Sequence, residues 1–173
     1  MSALAANPRV QLLLRLLLGA YFVYASLDKI ASPAGFAKVI YQWQVVGPVP
    51  SNLVAVTLPW VELLAGALLI AGVWRREAAL VIALLLVVFI AAAGSVMARG
   101  IDVENCGCVS VAADAAPSAW PPPWMKGVGW FLVARNLLLL AVAATLVLGQ
   151  RPGGLPSGGR STAAPPEPPE AGA

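Results

Sequence analysis

Apolar residues in this chain gather into four long runs separated by short polar breaks. The runs cover residues 10–30, about 53–73, about 78–98 and about 128–148, each long enough to cross the ~30 Å hydrocarbon core of a bilayer as a helix. The first run, VQLLLRLLLGAYFVYASLDKI, has Arg9 before its start and Asp28 and Lys29 at its far end. A cleaved signal peptide competes with the span reading, because a basic start, an apolar middle and Val23-Tyr24-Ala25 are also present. Arg15 interrupts the run, however, and the run continues into tyrosines and a charge pair, so an uncleaved helix is expected. Only Trp74, Arg75, Arg76 and Glu77 separate the second and third runs, which makes them antiparallel neighbours. Ala65, Gly66, Gly72, Ala91 to Ala93 and Gly94 are small enough to let helices approach closely.

Residues 32–47 are too polar to span. Ser32 is placed to cap a helix opening at Pro33, and Phe36, Val39, Ile40, Trp43 and Val46 then share one face. The pattern predicts a short helix lying in the membrane interface, with Tyr41 and Trp43 near the headgroups; an ordered loop over the bundle mouth is the alternative. Gly47-Pro48-Val49-Pro50 is expected to end it.

The longest break opens at Arg99-Gly100, carries Asp102-Val103-Glu104-Asn105-Cys106-Gly107-Cys108, and closes on Trp120-Pro121-Pro122-Pro123-Trp124. Three prolines favour an extended polyproline segment, and the flanking tryptophans suit the membrane interface. After Gln150 the chain is rich in Gly, Pro and Ser and has no aromatics, so it cannot bury a core. The expected organisation is a four-helix transmembrane domain over residues 1–149 and a disordered cytoplasmic tail over 150–173. Composition agrees: the chain is 60% hydrophobic and 11% charged, where soluble domains are about 45–50% apolar. A net charge of +3 does not mark a nucleic-acid binder, because the basic residues stand singly beside apolar runs. They read as topology signals. Arg9, Arg75, Arg76, Arg151 and Arg160 fall on one side of a four-span chain, and Lys29, Lys38, Arg99 and Lys126 on the other. The second side offsets its bases with Asp28, Asp102, Glu104 and Asp114, so both termini are expected in the cytoplasm.

The long break holds the chain's two cysteines. With one glycine between them, Cys106 and Cys108 can close on each other, since a disulfide needs alpha carbons roughly 4.4–6.8 Å apart. So small a loop gives only about 1.6 kcal/mol of chain-entropy stabilisation before strain, which makes it a poor staple, whereas strained bridges are the readily exchanged ones. A redox-active pair is the leading reading; a structural pair and a copper(I) thiolate site are the alternatives. With no histidine in the chain, zinc or iron would lack its usual ligands, and no metal site is assigned. An oxidising compartment suits such a pair, which agrees with an extracytoplasmic loop. Asp102 and Glu104 disfavour a thiolate at Cys106, so Cys108 is expected to be the exchanging sulfur.

Ionisable groups within the spans are the other candidates, because they are costly in lipid and normally face a bundle interior. Glu62 and Arg135 lie at similar depths and are expected to pair, while Arg15 is expected to reach the cytoplasmic interface as a topology anchor. Tyr24, Lys29, Glu62, Arg135 and Asn136 would line a polar pocket below the cysteine loop, of the kind that suits a quinone head group with carbonyls in need of donors. The predicted fold class is therefore an all-α membrane protein, a four-transmembrane-helix bundle with a short interfacial helix and an extracytoplasmic Cys-Gly-Cys loop.

Several short motifs occur in order: Ala25-Ser26-Leu27-Asp28-Lys29-Ile30 with Pro33 and Phe36, Leu58-Pro59-Trp60-Val61-Glu62-Leu63 with Gly66, Arg99-Gly100 before Cys106-Gly107-Cys108, and Arg135-Asn136. In this order they resemble the DoxX-like four-span membrane proteins, and within them the MauE type associated with methylamine utilisation. The family's usual Cys-Gly-Cys-Phe-Gly is altered here, with Val109 and Ser110 in the last two places. The resemblance implies a bacterial inner-membrane protein linked to disulfide formation in an exported thiol partner, with Cys106 and Cys108 as the redox pair. Two other functions compete with this: a non-catalytic membrane anchor for a soluble redox partner, and a copper-handling membrane protein.

Overall fold

The computed structural model describes residues 7–101, 103 and 128–149, and these form five helices. They are α1 (Pro8–Ala31), α2 (Pro33–Gln42), α3 (Pro48–Ala71), α4 (Arg75–Ala98) and α5 (Trp130–Gly149). Proline opens α1, α2 and α3, in the first turn where a missing N–H breaks no helical bond. The Asn7 side chain accepts the N–H of Arg9 and caps α1. Ser32 precedes α2 as expected, but its hydroxyl makes no capping bond. The sequence Gly47-Pro48-Val49-Pro50 begins α3, and the Ser51 hydroxyl donates back to the Gly47 carbonyl at 2.8 Å. The span thus starts well before Leu53. Its far end turns on Gly72, at φ 78°, whose N–H donates to the Leu68 carbonyl. Trp74 is also left-handed, at φ 46°, and the chain re-enters a helix at Arg75.

The four long helices close a ring in which α1 packs on α3, α3 on α4, α4 on α5 and α5 on α1. Leu18, Phe22, Leu69, Ile82, Leu86 and Leu146 fill its centre. Leu17, Leu53, Leu64, Leu84 and Leu138 face outward, an arrangement that lipid stabilises and water does not. All four helices are long and apolar enough to cross a membrane, and the chain is a multi-pass membrane protein.

The tightest approach is between α1 and α3. A Cβ added to Gly19 would lie 2.9 Å from the Gly66 carbonyl oxygen, and one added to Gly66 would lie 2.9 Å from that of Gly19. Gly66 was expected at such a contact; Gly94 was too, but the space beside it is open. One turn along, Arg15 reaches the end of α3. Its Nη2 donates to the Ile70 carbonyl at 3.4 Å, with the guanidinium against Gly72. A cation there faces the negative end of the α3 dipole.

Helix α2 exists where the pattern placed it, but it is docked on the bundle rather than free in the interface. Phe36 packs with Ala55 of α3. Trp43 is 5% exposed and packs edge-on to Phe89 of α4 at 5.0 Å, so its ring meets protein, while Tyr41 faces outward. Arg99 ties down the end of α2, its Nη1 donating to the Gln44 carbonyl and its Nη2 to that of Trp43, both at 2.8 Å. Its Nε donates to Ser95 of α4 at 3.1 Å. A residue that marked only the start of a loop in the sequence is thus the clasp between two helices.

Candidate functional site

The inward face of α1 runs Leu18, Phe22, Ala25, Lys29, at the three- and four-residue spacing of a helix stripe. Lys29 therefore points its chain into the bundle although it stands near the end of α1. Its Nζ lies 2.6 Å from Oε2 of Glu62 on α3, and both residues are buried, at 3% and 6% exposure. The ring of Phe36, on α2, sits 5.2 Å from the same nitrogen and roofs the pair. Bringing these charges out of water is unfavourable unless they are paired, and the pairing is close. The partner of Glu62 in this ion pair is Lys29, which corrects the expected pairing with Arg135. Because α3 begins at Pro48, Glu62 lies about 21 Å along the helix from that end, and the long lysine stem leans back along α1 to meet it.

Arg135 and Asn136 stand on α5 across a small cavity from that pair. The cavity, of about 40 Å³, is lined by residues of all four long helices, with Tyr21, Phe22 and Ala25 from α1 and Leu85, Leu86 and Phe89 from α4. The Arg135 guanidinium carbon is 6.0 Å from the centre of the Tyr21 ring. Asn136 is 4% exposed, and its Nδ2 is buried with no hydrogen-bond partner among the described residues. Of the five predicted pocket residues, Lys29, Glu62, Arg135 and Asn136 are brought together. Tyr24 is not: it is 65% exposed on the outer surface, about 100° around the helix from Ala25, and Tyr21 takes its place. The α1 stripe carried that signal, since Tyr21 flanks it and Tyr24 does not.

Cys106 and Cys108 lie outside the described residues, as do Trp120 to Trp124 and the tail from Gln150. The two ends of the cysteine segment are described. Val103 is 7% exposed and packs with Val39, Trp43, Val96 and Leu132, and the Val128 N–H donates to the Val103 carbonyl at 3.2 Å. Both ends are therefore fixed together beside α2.

A family model described as methylamine utilisation protein MauE matches residues 7–149. A methylamine utilization protein MauE of Paracoccus denitrificans is 32% identical over 143 residues, covering 83% of this chain and 71% of the relative. One of the same name from Paracoccus versutus is 31% identical over 157 residues, covering 89% of this chain and 78% of the relative. No solved structure matches.

Proposed function

The chain belongs to the MauE family, and on that premise we propose that it is a membrane thiol-disulfide redox protein serving methylamine utilisation. The supporting observation is the Val103 to Val128 closure, which anchors both ends of the segment carrying Cys106 and Cys108 on the α2 roof of the bundle. In this reading the loop faces the extracytoplasmic side, both termini are cytoplasmic, and the substrate is an exported protein with a pair of thiols.

A partner thiolate attacks the Cys106–Cys108 disulfide at Sγ of Cys108, forming a mixed disulfide and releasing the Cys106 thiolate. The partner's second thiolate then displaces Cys108, so the partner gains a disulfide and the cysteine pair becomes a dithiol. Two electrons and two protons leave that dithiol for an acceptor in the bilayer, for which a quinone, becoming quinol, has the right balance. Cys106→Ser should accumulate a mixed disulfide through Cys108, visible as a reducible higher-mass band, and Cys108→Ser should trap little. If neither variant traps a partner and both support growth on methylamine like the parent, the protein is a membrane anchor instead.

A further inference from the structure

Three arginines gather at the end of the bundle away from the cysteine segment: Arg15 of α1, and Arg75 and Arg76 at the start of α4. Two of them meet around a single residue, Gly72, in the turn between α3 and α4. The Arg15 guanidinium lies against it, with Nη1 2.8 Å from where a Cβ would stand, and Arg75 Nε donates to its carbonyl at 3.0 Å. Like charges brought together repel, and little here offsets them. Among the described residues none of the three forms an ion pair. The one described carboxylate at this end, Glu77, stands in the first turn of α4, where the helix's own N–H groups favour it. The α3 C-terminus adds about half a negative charge, so the cluster stays positive by roughly one charge or more. Arg15 is also under-used: its described hydrogen bond is the 3.4 Å one to Ile70, and its Nε is buried without a partner among the described residues.

We propose that this cluster binds the headgroup phosphate of an anionic phospholipid in the leaflet at that end. A planar guanidinium pairs with phosphate through two parallel N–H···O bonds, and its weak hydration suits an apolar boundary. The phosphate oxygens accept from Arg15 and Arg75 beside Gly72, and Arg76 adds its charge from the next position. Gly72 makes room for this: a Cβ there would collide with Arg15 Nη1, and its φ of 78° disfavours any side chain. The surroundings fit a lipid rather than a free ion. Trp74, directly before Arg75, is 70% exposed, and indole rings at span ends sit at headgroup level. Leu12 and Leu16, on either side of Arg15 along α1, are exposed and give the lipid's chains an apolar surface. Nothing in the site depends on the cysteines or on which side of the membrane this end faces.

The test uses the full-length protein, delipidated in neutral detergent, with bound lipid counted by native mass spectrometry. It is titrated with phosphatidylglycerol, or with phosphatidylcholine of the same chains, whose choline cation offsets its phosphate. Phosphatidylglycerol should bind at least about tenfold more tightly, and Arg15→Met or Arg75→Gln should each cut that preference about fivefold. Lys38→Gln removes an equal charge from an exposed position at the other end and should leave the preference as in the parent. Equal binding of the two lipids, or as large a loss in Lys38→Gln as in Arg75→Gln, overturns the proposal. Displacement of the bound lipid by millimolar inorganic phosphate also overturns it, since that marks a site for a free anion. Should Arg15→Met fail to fold, the double variant Arg75→Gln/Arg76→Gln decides, because both side chains are exposed. A lost preference there supports the site, and an unchanged one overturns it.

Discussion

Lys29 and Glu62 show how a single pair of residues can define the interior of a small bundle. Each is tolerable in the membrane only because of the other. Lys29→Met or Glu62→Gln alone should therefore destabilise the fold by about 3–5 kcal/mol, since either leaves a buried group without its counterpart. The double variant Lys29→Met/Glu62→Leu should recover most of that loss, read as thermal unfolding of purified protein. A double variant as unstable as the sum of the singles would mean that the two side chains act separately. Glu62 could be picked out beforehand because a carboxylate in an apolar run has few explanations. Its partner could not, because depth counted along an assumed span start ignores both the extra turn of α3 and the reach of a lysine stem. The same limit misplaced the tyrosine: composition names tyrosines near the pocket, and only the helix register separates Tyr21 from Tyr24.

Helix α2 is the element whose role changed most between pattern and structure. An amphipathic decapeptide looks the same whether its apolar face meets lipid or protein, so its existence was legible and its burial was not. The α4 residue Phe89 and the Arg99 clasp settle it. Arg99→Met should release the Trp43 to Gln44 end of α2, shift the Trp43 fluorescence to the red and speed backbone hydrogen exchange around residues 43–47 by about tenfold or more. Unchanged exchange would show that aromatic packing alone holds α2. The four long helices, by contrast, were readable in number and, apart from the early start of α3 at Pro48, nearly in extent, since apolar runs of that length have one stable solution in lipid.

At the scale of the whole molecule, the fold class follows from four apolar runs, but the order of helices around the ring rests on contacts that no run length encodes. Short links make α3 and α4 neighbours; the closure of α5 onto α1 depends on which stripes face inward. Orientation is a further expectation, drawn from scattered bases. Reporter fusions after Arg76 and after Gln150 should give cytoplasmic signals and a fusion after Ala113 an external one. The opposite result would place the cysteine segment in a reducing compartment and remove the setting that disulfide exchange requires.

The crossing at Gly19 and Gly66 has a mechanical meaning. Two stiff rods that touch backbone to backbone at one point share a fulcrum there, because neither can sink further into the other. On one arm hangs the Arg15 contact with Ile70, and on the other, longer arm hangs Lys29 with Glu62. A small tilt that parts the ends on the short arm draws the long arm together, and the reverse tilt pries it open. Any tilt about that point would move the Arg15 and Lys29 contacts, about 21 Å apart along α1, in opposite senses, with two hydrogen atoms in place of side chains as the bearing.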